Sequence, residues 1–154
     1  RMFTHTGPRR GEVFVVSTFA KQLAAIEAGL HSPVLEVGNL ESIRTFLDVR
    51  DAVRAYWLLV EKCPPGEVYN IGGLTTMTIG EMLNKLLALS EVKNIKVEVK
   101  PERKRPSDVT LQIPSSDKFT AATGWKPEIE FDRTLADTLN YWRNYYKKGE
   151  SSGT

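Results

Sequence analysis

A short apolar strand that runs directly into a long amphipathic helix constrains the fold of this chain of 154 residues. Residues 45–47 are predicted to form the strand. Asp48 suits the helix N-cap, because its carboxylate can accept hydrogen bonds from the free amides of the first turn. The helix is predicted over 49–62, and the pair Pro64-Pro65 ends it. Its apolar face comprises Val49, Val53, Tyr56, Trp57 and Val60. Such a face is typical of a helix that packs against another layer of the protein.

Short strands alternate with helices along the rest of the chain. Gly29 follows one predicted helix, another ends at Gly124, and the segment 78–81 has the pattern of an N-terminal capping box. Helices are predicted at 13–28, after the capping box, at 115–123 and at 133–147, and strands at 33–39, 68–71 and 97–100. This order favours an α/β or α+β architecture. Residues 1–147 are expected to form the ordered part and 148–154 a disordered tail.

The charge balance and the scarce metal-binding residue types exclude several classes of protein. The net charge is +2, and the basic cluster at 103–105 is broken at once by Pro106, so nucleic acid is not expected as a partner. No run approaches the ~18 apolar residues of a membrane span, and no signal peptide is expected. Cys63 is the only cysteine and His5 and His31 the only histidines, which argues against disulfides and a cysteine-rich metal site. A cytoplasmic location is expected.

The sequence contains no short catalytic or phosphate-binding motif. The glycine-rich dinucleotide turn, the P-loop, the nucleophile elbow and the zinc-binding H-E-x-x-H are all absent. Candidate groups for an anionic ligand remain. Arg44 is predicted in a loop before a helix and Arg105 in a loop held extended by Pro106, and an arginine fork matches phosphate oxygens. Asp108 could accept hydrogen bonds from a ribose. Solvated loop charges remain an alternative for all three, as does a structural role for His5.

Six segments in a fixed order resemble a known family. They are THTGPRRG, FAKQLAAIEAG, VGNLESIRTFLDVRDAVRAYWLL, GEVYNIGG, RPSDV and ATGWKPEIEFDRTLADTLNYWR. Over about residues 1–145 they resemble the C-terminal half of extended short-chain dehydrogenases/reductases acting on nucleotide sugars. They are most similar to GDP-mannose 4,6-dehydratases and GDP-4-keto-6-deoxymannose reductases. The resemblance implies an α/β fold: the substrate-binding C-terminal portion of an extended Rossmann-type enzyme, with the last strands of its dinucleotide-binding sheet.

The resemblance also assigns roles in substrate binding. Lys21 in FAKQ is expected to help hold the nucleotide diphosphate. Arg44 and Arg105 match the two arginines that grip that diphosphate. Val37 and Asn39 in EVGN match the part of a loop that meets the guanine. A GDP-sugar is therefore the expected ligand.

Two further matches depart from the family pattern. Asp108 matches an acidic residue, glutamate in many dehydratases, that bonds the GDP ribose. The family usually reads F-N-H in its first turn, where this chain has Phe3-Thr4-His5. Thr4 and His5 are thus expected near the cofactor, with Thr4 replacing an asparagine.

The catalytic elements of the family are missing from this chain. They are the glycine-rich turn, a Y-x-x-x-K pair and an upstream serine or threonine, and the family carries them in its N-terminal half. The chain starts at Arg1 and is expected to be a fragment. The whole enzyme would use NAD or NADP, but this chain alone is expected neither to bind it well nor to transfer hydride. Cut strand edges and a bare helix face predict that the isolated chain associates with the missing half, associates with another copy as a homo-oligomer, or aggregates.

Three functions are open on this basis. A 4,6-dehydratase is the leading hypothesis, and a GDP-4-keto-6-deoxymannose reductase or another nucleotide-sugar epimerase or dehydratase is the nearest alternative. A non-catalytic nucleotide-binding or assembly module is the alternative of another class.

Overall fold

The computed structural model describes residues 1–103 and 110–150, the last three by their backbone alone. Its elements alternate between helix and strand, as the sequence predicts. The helices are α1 (Val15–Glu27), α2 (Val49–Lys62), α3 (Ile79–Ala88), α4 (Asp117–Thr123) and α5 (Phe131–Glu150), and the strands are β1 (His5–Thr6), β2 (Val34–Val37), β3 (Ile43–Asp48), β4 (Thr75–Thr78), β5 (Lys96–Val99) and β6 (Leu111–Gln112). A 3₁₀ turn spans Pro101–Arg103. The predicted α/β class is confirmed.

Strand β3 organises the larger sheet. It pairs in parallel with β1 at its C-terminal end, where His5 lies opposite Leu47. At its N-terminal end it pairs in parallel with β6, with Arg44 opposite Gln112. It also pairs with β4 in an antiparallel ladder. A separate two-stranded parallel sheet consists of β2 and β5.

The two faces of β3 contribute to two hydrophobic cores. Successive side chains of a strand point to opposite faces, so Phe46 enters one core and Leu47 the other. The first core joins α1, α3 and α5, and the Phe46 ring stacks on Phe131 with 4.6 Å between centroids. The second core lies under α2 and includes the fully buried Phe119 and Trp125. A six-residue strand therefore connects both halves of the packing.

Helix α2 forms as predicted, but its apolar stripe is not covered. Asp48 is the N-cap and accepts a hydrogen bond from the Arg50 amide at 2.7 Å. The buried apolar contacts of the helix come from Ala52 and Ala55. Four large side chains, here called the α2 face, are instead exposed: Val53 (62%), Tyr56 (50%), Trp57 (71%) and Val60 (85%). Their spacing places them on one side of the helix. The α2 face is thus a contiguous apolar surface open to solvent.

The strands near residue 70 differ from the prediction. The strand predicted at 68–71 is wrong, because only Ile71 forms an isolated bridge there, to Met2. Strand β4 was not predicted, since TTMT carries no apolar alternation, yet it pairs along four residues of β3. Gly73 permits the approach: a Cβ there would lie 1.6 Å from the Phe46 carbonyl oxygen. At the C-terminus, α5 runs to Glu150, past the predicted end at 147.

The buried carboxylate of Asp48 joins α2 to α5. Its two oxygens accept hydrogen bonds from Nε and a terminal nitrogen of Arg50, each at 2.8 Å. The Thr134 hydroxyl donates a further bond at 2.7 Å. Burial alone would raise the pKa of Asp48, but the bonds from Arg50 and Thr134 outweigh it and hold the pKa below its ordinary value. The charged form of Asp48 is therefore stabilised in the folded state.

We expect Asp48→Asn to lower the free energy of unfolding by about 2 kcal/mol at pH 7, because hydrogen bonds to a charged group are lost. A carboxylate with a lowered folded-state pKa stabilises the fold fully above its unfolded-state pKa, near 4. That contribution disappears as the pH falls through the folded-state pKa. Urea unfolding measures the free energy of unfolding of wild type and variant, once at pH 7 and once below pH 3. The difference between wild type and variant should shrink in acid; an unchanged difference would contradict the role of charge. The exposed Asp132→Asn is the control.

Candidate functional site

A cleft of about 480 Å³ lies between α1, β3, the turn after β2 and the 3₁₀ turn at Pro101–Arg103. Its lining consists of Thr4, Val13, Phe14, Val15, Thr18, Phe19, Gly38, Asn39, Ser42, Arg44, Ile79, Glu102 and Arg103. A second cavity of about 100 Å³ is lined by Asp48, Glu128 and Glu130, and none of the described residues that line it is cationic. The larger cleft, which contains two arginines, is therefore the candidate site for an anion.

Helix α1 begins at this cleft. Phe14 is its N-cap, in an extended conformation, and no side chain caps the helix there. The first amides of a helix carry partial positive charge and bind anions well. Phe14, Val15 and Thr18 all line the cleft. The helix start thus adds to the positive character given by the arginines.

Arg44 lies in the cleft, but not in a loop. It belongs to β3, which is longer than predicted because its N-terminal end pairs with both β4 and β6. One terminal nitrogen of Arg44 donates to the Ile43 carbonyl oxygen at 2.9 Å. The strand holds the backbone of Arg44 rigidly, with Met77 and Gln112 on its two sides. The predicted anion-binding arginine is therefore presented from the central strand.

The two residues predicted to meet the guanine, Val37 and Asn39, have different surroundings at the end of β2. Asn39 lines the cleft; its amide donates to the Ser42 hydroxyl at 2.9 Å, and its side-chain oxygen accepts from the Glu41 amide at 3.0 Å. Val37 is completely buried in β2, and its carbonyl accepts from the Lys100 amide at 2.8 Å. The structure thus brings Asn39 to the cleft wall, whereas the side chain of Val37 lies in the core.

Lys21 lies on α1 outside the cleft lining. Its ammonium group pairs with the carboxylate of Glu12 and lies 5.3 Å from the centroid of the Trp142 ring. The hydrogen bond to Glu12 raises the pKa of Lys21 above its ordinary value. Thr18, almost one turn earlier on the same helix, does line the cleft. The two remaining predicted ligands, Arg105 and Asp108, fall outside the described residues.

The two residues predicted near the cofactor have different surroundings. Thr4 lines the cleft, and its hydroxyl donates to the Gln112 side-chain oxygen at 2.9 Å. His5 is outside the lining: its Nδ1 lies 3.0 Å from the Phe3 carbonyl oxygen, and its Nε2 lies 3.2 Å from a terminal nitrogen of Arg10. A carbonyl accepts only, so Nδ1 carries the proton and Nε2 accepts from Arg10.

The residues present do not fit a complete site for NAD or NADP. A dinucleotide pyrophosphate is held by a glycine-rich turn between a strand and a helix, and the sequence has none. Both ring nitrogens of His5 are already engaged within the protein. No group of three or more His, Cys, Asp or Glu among the residues described could hold a metal ion. No helix in that same part of the chain is long and apolar enough to cross a bilayer.

Several residues of the cleft wall are not predicted by the sequence. Phe14 is 44% exposed, with the guanidinium carbon of Arg10 3.5 Å from its ring centroid. Glu102 and Arg103 form the opposite part of the lining, and Arg103 donates to the Glu36 carboxylate at 2.9 Å. Arg103 belongs to the basic cluster at 103–105, which could have identified it as an anion-site candidate. No pattern in the sequence marks Phe14 or Glu102.

The chain matches the family model of GDP-mannose 4,6 dehydratase over residues 1–138. It is 33% identical over 144 residues to the GDP-6-deoxy-D-mannose reductase of Pseudomonas aeruginosa, covering 94% of this chain and 47% of the reductase. It is 30% identical to a GDP-mannose 4,6-dehydratase of Sinorhizobium fredii, covering 92% of this chain and 46% of the dehydratase. The chain spans about half the length of the curated relatives it matches.

Solved structures agree with this relationship. The structure of the Pseudomonas aeruginosa protein RMD complexed with NADPH superposes with a TM-score of 0.86 at 32% identity, covering 94% of this chain and 48% of that one. The UDP-glucose 4-epimerase of Thermotoga maritima, solved with UDP-glucose, superposes with a TM-score of 0.78 at 29% identity, covering 95% of this chain and 45% of the epimerase. With the family model matched along most of its length, the chain belongs to the GDP-mannose 4,6-dehydratase family of extended short-chain dehydrogenases/reductases.

Proposed function

We propose that this chain is the nucleotide-sugar-binding part of a GDP-mannose 4,6-dehydratase-like enzyme, which converts a GDP-hexose to a GDP-4-keto-6-deoxy sugar. The observation that carries the proposal is the position of Arg44, on the central strand and in the same cleft as the uncapped start of α1. Both features favour a bound diphosphate. The family to which the chain belongs is named for an enzyme of a GDP-sugar.

The contribution of this chain would be binding and orientation. Contacts to the nucleotide are remote from the reacting carbons of the sugar, and their binding energy can be used to position those carbons. In the whole enzyme, NAD or NADP would supply the hydride chemistry. The chain has neither the glycine-rich turn nor a Y-x-x-x-K pair. We therefore expect it to be inactive alone and to require the half of the enzyme that it does not contain.

A reductase is the second candidate. The relative with 33% identity is a GDP-6-deoxy-D-mannose reductase, and the RMD structure at a TM-score of 0.86 contains NADPH. Such an enzyme would deliver one hydride to a 4-keto sugar, with no loss of water. It would require the same nucleotide contacts from this chain, and it would differ in the chemistry of the other half.

The alternative of another class is a non-catalytic module that uses this fold for nucleotide binding or assembly. The α2 face, with Trp57 71% exposed, would serve assembly equally well. The two hypotheses differ in ligand binding: a part of a nucleotide-sugar enzyme binds nucleotide sugars, and an assembly module does not.

Calorimetric titration of the chain with GDP, GDP-mannose and UDP-glucose tests the proposal. We expect GDP and GDP-mannose to bind at least about tenfold more tightly than UDP-glucose, because a site that hydrogen-bonds one base rejects another that leaves its groups unpaired. Circular dichroism confirms that each sample is folded. A folded sample that binds no nucleotide would overturn the proposal and favour an assembly module. Equal affinity for UDP-glucose would contradict the preference for GDP.

A further inference from the structure

The cleft has two chemically different walls. One wall, formed by β3 and the start of α1, contains Arg44 and favours an anion. The other wall, formed by the turn at 38–39 and the 3₁₀ turn, contains Arg103, whose guanidinium is already paired with Glu36, and Glu102, the one carboxylate among the lining residues that the structure describes. A carboxylate repels a diphosphate. The wall with Glu102 must therefore face a different part of the ligand.

Glu102 is held in place by the backbone around it. The Lys100 amide donates to the Val37 carbonyl at 2.8 Å, which fixes the start of the 3₁₀ turn beside the end of β2. Gly38 touches the other end of that turn: a Cβ on Gly38 would lie 2.4 Å from the Arg103 carbonyl oxygen. The Arg103 guanidinium is bonded to Glu36. The position of Glu102 thus depends on backbone contacts and not on its own side chain.

The Glu102 side chain is exposed to solvent. Its neighbours Glu36 and Glu98 form ion pairs with Arg103 and Lys100. Within the described residues, by contrast, no hydrogen bond or ion pair engages Glu102. An ionised carboxylate only accepts hydrogen bonds, through two oxygens side by side. Its complement in a ligand is a pair of adjacent donors.

We propose that Glu102 determines base specificity by accepting hydrogen bonds from the N1–H and the 2-amino group of guanine. These are two adjacent donors, which match both carboxylate oxygens. Adenine and cytosine offer an amino group next to an acceptor nitrogen, and uracil offers one N–H between two carbonyls. None of these three base edges therefore donates a hydrogen bond to each of the two carboxylate oxygens. The inference rests on the proposed function and adds to it the residue that separates guanosine diphosphates from other nucleoside diphosphates.

The test compares GDP with inosine diphosphate, which lacks only the 2-amino group. By calorimetry, the wild-type chain should bind GDP about tenfold or more tightly than inosine diphosphate, since one charge-assisted hydrogen bond is lost. In Glu102→Gln and Glu102→Ala the preference should fall to within about twofold, mainly through weaker binding of GDP. Glu98→Gln, which changes a neighbouring carboxylate outside the cleft lining, should leave the preference unchanged.

Each outcome has a distinct meaning. If GDP binds but the preference over inosine diphosphate persists in both Glu102 variants, the role of Glu102 is overturned while the proposed function stands. If the folded wild-type chain binds neither nucleotide, the proposed function and this inference both fail. A preference lost in both variants and kept in Glu98→Gln supports the assignment.

Discussion

Replacing Arg44 with alanine should weaken GDP binding by about 10–100-fold, because a hydrogen bond to a charged group contributes about 1.5–3 kcal/mol. Arg44 lies in the cleft, and its backbone is held between two neighbouring strands. Arg44→Lys should recover only part of the loss, because an ammonium group lacks the planar fork that matches two phosphate oxygens. Calorimetric titration with GDP measures the affinity of the wild type and of both variants.

The control for Arg44 is Arg133→Ala on α5. Arg133 is exposed and pairs with Asp137, and it does not line the cleft. We expect its GDP affinity to equal that of the wild type. Added salt should weaken binding to the wild type more than to Arg44→Ala, because fewer ionic contacts remain in the variant. Unchanged affinity in a folded Arg44→Ala protein would exclude Arg44 as a diphosphate ligand.

The chain should form a complex with the half of an enzyme of this family that it does not match. We suggest co-expression with the unmatched part of the Pseudomonas aeruginosa reductase, which is about half of that protein. The two pieces should co-purify, because the α2 face exposes large apolar side chains that a partner would bury. Trp57→Glu should weaken the complex by at least about thirtyfold, the effect of losing about 2 kcal/mol at a central aromatic residue.

Leu30→Glu is the matched control for Trp57. Leu30 is also an exposed apolar residue, at 52%, but it lies at the end of α1 and outside the α2 face. The complex should survive this change, as measured by size-exclusion chromatography. Equal loss in both variants would indicate non-specific association. A wild-type chain that elutes as a monomer and forms no complex with the partner half would contradict the role given to the α2 face.

Local signals in the sequence predicted the helix boundaries well. The Asp48 cap and the capping box from Thr78 to Glu81 are both present, since each depends only on residues within one turn. Strand β4 was missed, because its stability comes from pairing with β3 and not from its own pattern. Arg44 was expected in a loop for the same reason. Pairing between distant segments decides these elements.

The site was less predictable than the fold. Arg44 was identified from its residue type as well as from the resemblance, and Thr4 and Asn39 from the resemblance alone; all three line the cleft. Phe14 and Glu102 were not, because the cleft wall combines turns far apart in the chain. Glu102 reaches the cleft because the 3₁₀ turn at Pro101–Arg103 packs against the turn after β2. A short motif cannot encode such a neighbourhood.

The central position of β3 has a consequence for the time course of folding. Its partners come from the first residues of the chain and from β6, and the Thr45 hydroxyl donates to the Gln112 carbonyl across 67 positions. Contacts of such long range form slowly, because the intervening chain must first be brought together. The sheet therefore closes only after β6 has been made and brought against β3. Until then, the incomplete edges of β3 and the α2 face are open together, and chaperone capture would act in that interval.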